Sequence, residues 1–274
     1  MSSLLELLAV NGAATCTIML LLWLVSIGLR DVSIIDAYWG FGFVIIAWIA
    51  FVLTGDVTPR KVLLVVVATL WGLRLTAYLA RRKFGAPEDY RYRAMREQTG
   101  PRFWIASLWI VFGLQGAIMI VVALPLMTGQ LDRSPLGWLD AVGSAVWAVG
   151  FAFEAVGDWQ LARFKSETHD KNAVLDRGLW RYTRHPNYFG NFMIWWGIFL
   201  VSWGTGDAWW TVLSPLLMSF LLVKVSGVAL LESSLRVRKA GYAEYVARTS
   251  AFFPWPPRPA HDSRTERQES KVTP

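Results

Sequence analysis

The sequence predicts an all-α, polytopic membrane protein of about seven transmembrane helices, with the N-terminus outside and the C-terminus cytoplasmic. Three observations carry this. Of 274 residues, 54% are hydrophobic and only 17% charged, with a positive mean hydropathy, which is too apolar for one soluble domain of this length. Continuous apolar runs long enough to cross a bilayer recur along the chain. Lys and Arg gather in alternate connections between those runs.

A hydrocarbon core of roughly 30 Å takes about 20 helical residues. Runs at 4–29, 34–53, 62–80, 104–127, 136–157, 189–203 and 209–231 supply them, the sixth being the shortest. They are continuous instead of alternating, which argues against closed sheets and for helices as the way to pair the backbone in lipid. Of the 16 Trp, Trp39, Trp104, Trp138, Trp203 and Trp209 fall near the ends of runs, where an amphipathic indole suits the interface. The first run lacks the basic start and small-residue cleavage pattern of a removable signal and reads as a retained helix. Residues 1–255 read as a single membrane-embedded domain, and 256–274, polar and Pro-containing, as a disordered cytoplasmic tail.

Orientation follows from charge. With the N-terminus outside, 22 of the 27 Lys and Arg face the cytoplasm: Arg30, the loops 81–102 and 163–184, and the C-terminal region. Arg60, Lys61 and Arg133 lie opposite, and Arg74 and Lys224 fall within spans. This is the positive-inside pattern. The net charge of +7 is distributed between spans, which argues against nucleic acid as a partner. The single Cys16 and the scattered His169, His185 and His261 exclude an intramolecular disulfide and show no metal-ligand spacing. The partners expected are the bilayer and a hydrophobic small-molecule or lipid substrate, with no obligate protein partner.

The segment LDRGLWRYTRHPNYFGN, 175–191, crowds cations, aromatics and amides just before a span. Arg181 and Arg184 could pair phosphates, and Tyr182 or Tyr188 could stack a ring. The plainer alternative is that Pro186 opens a helix and Tyr and Arg anchor it. Upstream, Glu154, Asp158, Leu161 and Lys165 share one helical stripe. Carboxylates at that depth face an interior or a cavity, unless they form an interfacial ion-pair ladder.

Arg74 and Tyr78 are four apart and share a face, which suits a phosphate contact, with snorkelling as the alternative. In SIIDAYWG, Asp36 beside Tyr38 could polarise a carbonyl or deliver a proton, although Ser33 and Asp36 also imitate a capping box. Gln115 is a further buried polar candidate, equally suited to interhelical hydrogen bonding. The basic segment after the last run, with Glu232, Tyr242 and Tyr245, could serve as a lid or as an interfacial helix.

GLWRYTRHPNYFGN together with the ESSL, GYAEY and FFPWPP segments resembles the membrane reductase and isoprenylcysteine methyltransferase superfamily. With SIIDAYWG and WGLR added, the whole chain looks like the bacterial branch of steroid 5-alpha-reductase-like proteins known as DUF1295. The resemblance implies seven spans in a bacterial inner membrane, NADPH as cofactor, and reduction of a carbon–carbon double bond conjugated to a carbonyl. Arg74 and Tyr78 match residues near the family's cofactor phosphates, and Asp158, Asn187 and Tyr182 match positions of its cofactor pocket. The chain departs from the steroid enzymes in having Asp36 and Ala37 for a glutamine–glutamate pair and Trp71 near a catalytic tyrosine. Glu154 and Asn191 also stand where those enzymes have an asparagine and a glutamate. The methyltransferase branch offers the alternative cofactor, S-adenosylmethionine, because Arg184, His185, Asn187 and Tyr188, followed by Glu232, Tyr242 and Tyr245, are similar to its site.

Overall fold

Helices make up most of the described backbone, as lipid requires. The computed structural model describes residues 3–168, 170, 172–204, 206–225, 239 and 241–258. Glu232, the end of the expected seventh run, and 259–274 of the expected tail lie outside the described residues. Two compact units divide the chain: Met1–Phe151 with Phe192–Ser219, and Ala152–Asn191 with Phe220–Pro274.

In the first unit, α1 (Leu4–Leu29) begins at Ser3, whose hydroxyl accepts the Glu6 N–H. It turns its small and polar side inward: Leu7, Asn11, Thr15, Met19 and Ser26 are buried, whereas Leu20, Leu21 and Leu24 are exposed. That polarity is reversed from a soluble protein because lipid is as apolar as leucine and only packing distinguishes the inner face. Opposite Thr15 and Met19 lies Gly116, where an added Cβ would approach the Met19 side chain to 3.2 Å.

α2 (Ile34–Leu53) and α3 (Pro59–Lys83) form a tight antiparallel pair. Gly40 and Gly72 face each other so closely that a Cβ on either would lie 2.5 Å from the other's carbonyl oxygen. α3 starts at Thr58, which caps the Lys61 N–H, with Pro59 in its first turn, and ends on Arg81, Arg82 and Lys83, each arrangement complementing the helix dipole.

α4 (Tyr90–Thr99) runs through a 3-10 turn into α5 (Phe103–Ser107), then a π-helical stretch, Leu108–Gly113, and α6 (Leu114–Val122). Together they make one apolar 33-residue span, Tyr90–Val122. The helix thus starts well before the apolar run at 104, because α4 is amphipathic and its polar face carries loop charges. α7 (Leu124–Thr128) completes the segment.

α8 (Trp138–Glu167) and α9 (Pro186–Trp203) contribute to both units. Their close approach in the first unit is again made by glycine: a Cβ on Gly143 would meet the Gly197 carbonyl oxygen at 2.7 Å. α10 (Leu213–Phe220) follows a 3-10 turn. Phe43, Trp71 and Trp195 interlock at 4.6–5.6 Å between centroids and are fully buried.

Arg60, 1% exposed, is enclosed at the start of α3. It pairs with Asp140 through two bonds of 2.8 and 2.9 Å and with Asp132 at 2.9 Å, and it also donates to Ser134. Arg133 pairs with Asp56 at 2.7 Å.

Among the described residues, five helical segments are long and apolar enough to cross a membrane: Leu4–Leu29, Ile34–Leu53, Pro59–Lys83, Tyr90–Val122 and Trp138–Glu167. The sixth expected run coincides with α9, whose first turns carry Asn187 and Asn191, and the seventh begins in the shorter apolar stretch Trp209–Val225.

Replacing Gly72 by Ala forces a methyl into backbone, so this variant is expected to lose about 1–3 kcal/mol, read as a lowered melting temperature in detergent. Arg60→Met strands two carboxylates and is expected to cost about 3–5 kcal/mol, measured in the same assay.

Candidate functional site

The second unit builds its polar centre from two matched four-residue spacings. Glu154 and Asp158 lie one turn apart on α8, and Asn187 and Asn191 one turn apart on α9. Because the two helices pair antiparallel there, the spacings meet as two rungs: Asn187 Nδ2 donates to Asp158 Oδ1 at 3.2 Å, and Asn191 Nδ2 to Glu154 Oε2 at 3.4 Å. Glu154 and Asp158 are 3% and 4% exposed. Gly157, between them, lets Pro186 approach, since a Cβ there would lie 3.2 Å from the proline ring. Asn191 Oδ1 is buried and has no hydrogen-bond partner among the described residues. The rungs take up one oxygen of each carboxylate in the contacts described and leave an acceptor facing no donor.

The loop preceding α9 is held in place by the segment after the short helix α11 (Tyr242–Arg248). Gly178 adopts a left-handed backbone, φ 64°, packed against Gln160, whose Oε1 accepts the Leu179 N–H at 3.0 Å. Thr183 Oγ1 donates to the Phe252 carbonyl at 2.8 Å, Arg184 N–H to Ser250 O at 2.9 Å, and Trp255 N–H to Tyr182 O at 2.9 Å. The Arg184 guanidinium reaches the carbonyls of Val246 and Thr249 at 3.0 and 2.6 Å. Tyr245 donates to Trp180 O at 2.5 Å and its ring lies tilted 5.8 Å from that of Tyr242, both rings being buried.

The structure thus brings together Glu154, Asp158, Asn187 and Asn191, with His185 and Tyr188 stacked parallel at 5.5 Å beside them in sequence. Arg184 and Tyr245 fasten the loop to the C-terminal segment. Tyr182 is 43% exposed, and Lys165 is exposed two turns beyond Asp158.

In the first unit, Arg74 and Tyr78 are half-buried on α3, the guanidinium carbon 5.8 Å from the phenol centroid. The capping box expected of Ser33 and Asp36 does not form. Ser33 instead donates to Asp31 and accepts the Asp89 N–H, which frees Asp36 to reach α4. Asp36 pairs with Arg91 at 2.8 Å and accepts the Tyr92 hydroxyl at 2.7 Å, and Gln115 Nε2 donates to the same hydroxyl at 3.2 Å. The phenol held by Asp36 is therefore Tyr92. Tyr38 turns its ring edge-on to Phe41 at 6.3 Å. Sequence reasoning passed over Arg91 and Tyr92 because they precede the apolar run. The available signal was the run of aromatic and cationic residues Tyr90, Arg91 and Tyr92 just ahead of the apolar run.

Around this network, Asp31 pairs with Lys83 at 2.6 Å, and Glu88 with Arg96 at 2.8 Å. Burial works against ionisation of Asp31, but bonds from Lys83 and Ser33 outweigh it and hold its carboxyl below the usual range. Asp89 behaves likewise: burial opposes its charge, and the side chain and N–H of Arg91 prevail. Among the described residues no three His, Cys, Asp or Glu come together as a metal site.

Fold and sites define a multi-pass helical membrane protein with polar clusters built into its helix ends. The DUF1295 family, described as proteins of unknown function, matches residues 22–249, and the chain belongs to that family. No curated protein and no solved structure matches it.

Asp31 and Asp89 both ionise more readily in the folded state, so their stabilisation is complete above the ordinary carboxylate value, near 4, and is lost as pH falls through the depressed folded values. The melting temperature is expected to drop on acidification below about pH 4, and to drop less in Asp31→Asn and Asp89→Asn.

Proposed function

We propose that this protein is an NADPH-dependent reductase of the bacterial inner membrane. It has seven spans and a cytoplasmic C-terminus, and it reduces an enone-type carbon–carbon double bond in a hydrophobic lipid or steroid-like substrate. The observation that carries the reading is the pair of carboxylate–amide rungs with the unpartnered Asn191 Oδ1. Ribose hydroxyls and a carboxamide present donors and acceptors in close alternation, and a buried acceptor without a donor costs about 1–3 kcal/mol unless a ligand completes it. The residues thus fit the group.

When bound, NADPH supplies a hydride. Glu154, Asp158, Asn187 and Asn191 would hold its hydroxyl and amide groups. By residue type Arg74 beside Tyr78, in the first unit, suits a phosphate and Lys165 adds positive charge, whereas the Arg184 guanidinium is engaged by the Val246 and Thr249 carbonyls. His185, Tyr188, Tyr182, Tyr242 and Tyr245 would give the ring faces and the closing wall. In the first unit, Arg91 and Tyr92 both point donors at Asp36, so the proton-bearing oxygen of that network is Tyr92 Oη, positioned by Asp36 and Gln115. Its one proton is given to Asp36, so polarising a substrate carbonyl requires the phenol to exchange that acceptor for the carbonyl oxygen.

The orientation rests on the count of basic residues, 22 of the 27 Lys and Arg falling on the side assigned to the cytoplasm.

A second reading, an S-adenosylmethionine-dependent methyltransferase of a lipophilic substrate, draws on one observation. The second unit buries two carboxylates, and its Arg184 is committed to backbone carbonyls. Such a site suits a sulfonium and an ammonium.

Binding of NADPH and S-adenosylmethionine to detergent-purified protein, titrated side by side, separates the readings. NADPH is expected to bind, to weaken roughly ten-fold in Asn191→Leu, and to weaken in Arg74→Gln. S-adenosylmethionine binding alone overturns the reductase reading, and binding of neither favours a non-catalytic lipid-binding protein. Asp36→Asn is expected to abolish turnover with NADPH affinity nearly unchanged, and unchanged turnover removes Asp36 from the mechanism.

A further inference from the structure

In the first unit, where α1 ends and α4 passes into α5, a groove of about 440 Å³ is walled by Ile27, Phe103 and Trp104 and carries Arg30 and Arg96. We propose that it binds the phosphodiester headgroup and upper acyl chain of an anionic phospholipid. This site is independent of the reductase reading and of which side of the membrane it faces.

Arg30 caps the 26-residue apolar α1 in a left-handed conformation, φ 53°, so it stands where the chain leaves hydrocarbon. Its guanidinium is exposed and has no acidic partner among the described residues. Arg96 is set against it: Nη2 donates to the Arg30 carbonyl at 3.3 Å, while the guanidinium lies 4.5 Å from the Phe103 ring.

Neighbouring acids do not compete for Arg30. The Asp31 carboxylate is occupied by Lys83 and Ser33, and that of Glu88 by Arg96 and the Val32 N–H. What remains is Arg30, with no acidic partner among the described residues, beside Arg96, which is paired with Glu88 through Nε and Nη2, and the cation of Arg30 complements a phosphate monoanion.

The apolar wall is continuous with the lipid-facing surface. Leu20, Leu24 and Ile27 follow one face of α1 outward, and Trp104 and Trp109 are exposed on the neighbouring span. The wall is also braced, because Trp23 stacks on Trp104 at 6.3 Å and donates its Nε1–H to the Trp104 carbonyl at 2.8 Å. A chain lying along it keeps its methylenes in hydrocarbon while its phosphate meets the arginines. A soluble anion would gain only the second part of this.

Native mass spectrometry of the full-length protein, titrated with phosphatidylglycerol and with phosphatidylcholine of the same acyl chains, tests the proposal. The wild type is expected to prefer phosphatidylglycerol. Arg30→Gln is expected to reduce that preference about five-fold, the effect of one interfacial arginine, and Arg30→Lys to retain most of it. Ile27→Trp fills the groove with both cations in place and is expected to weaken phosphatidylglycerol binding as well, so the proposal stays testable if Arg30→Gln does not fold. Unchanged phosphatidylglycerol binding in Ile27→Trp, or an unchanged preference in Arg30→Gln, overturns it. Displacement of the bound lipid by inorganic phosphate overturns it too and marks a soluble-anion site.

Discussion

A peptide group in hydrocarbon finds no water, so each one must be paired within the protein. This demand makes the spans continuous helices and leaves association between them to side-chain packing. Burying leucine against leucine gains little over leucine against lipid. Contact is therefore made where backbones come closest, at Gly40 with Gly72 and at Gly143 with Gly197. α1 shows the same logic from its other side, with Asn11, Thr15 and Ser26 inside and a row of leucines outside. The aromatic trio Phe43, Trp71 and Trp195 fills the space such close approaches leave between neighbouring helices.

The same scarcity of water sorts the charged groups. Arg60 is saturated, its guanidinium shared among two carboxylates, a hydroxyl and backbone carbonyls, and it is fully buried. A cluster in that condition has nothing left to offer a ligand, and its role is to tie α3 to α8. The rungs of the second unit differ. Glu154 and Asp158 each meet an amide, and one of those amides keeps an acceptor with no donor. Other buried polar atoms lack partners too, among them Asn11 Oδ1 and Trp195 Nε1. Asn191 is set apart because its amide already serves a buried carboxylate, which makes the position polar enough to hold a ligand's hydroxyl or amide.

The helical spans were legible from the residues because hydrophobicity acts locally: a run such as 34–53 has no other way to satisfy its backbone in lipid, and its ends fall where the structure puts them. The stripe of Glu154 and Asp158 was legible for a similar reason, since a spacing of four defines a helix face. The fourth span was longer than its apolar run because α4 pays for its polar face with ion pairs to other segments, and hydropathy does not register them. Ser33 shows the limit of local patterns. Its spacing from Asp36 fits a capping box, yet a hydroxyl has several competing partners, and Asp31 and the Asp89 N–H, one of them 56 residues away, took it.

By itself, then, the sequence determined the all-α membrane class, the positions of the long spans and the faces on which the acids lie. These depend on composition and on a fixed helical period. Tertiary structure alone decided that Asn187 and Asn191 stand opposite those acids, that Asp36 holds Tyr92 instead of lying with Tyr38, and that Arg30 has no acidic partner among the described residues. Each of these is a choice among partners distant in the chain. Such choices rest on the antiparallel approach of particular helices, which no local spacing encodes.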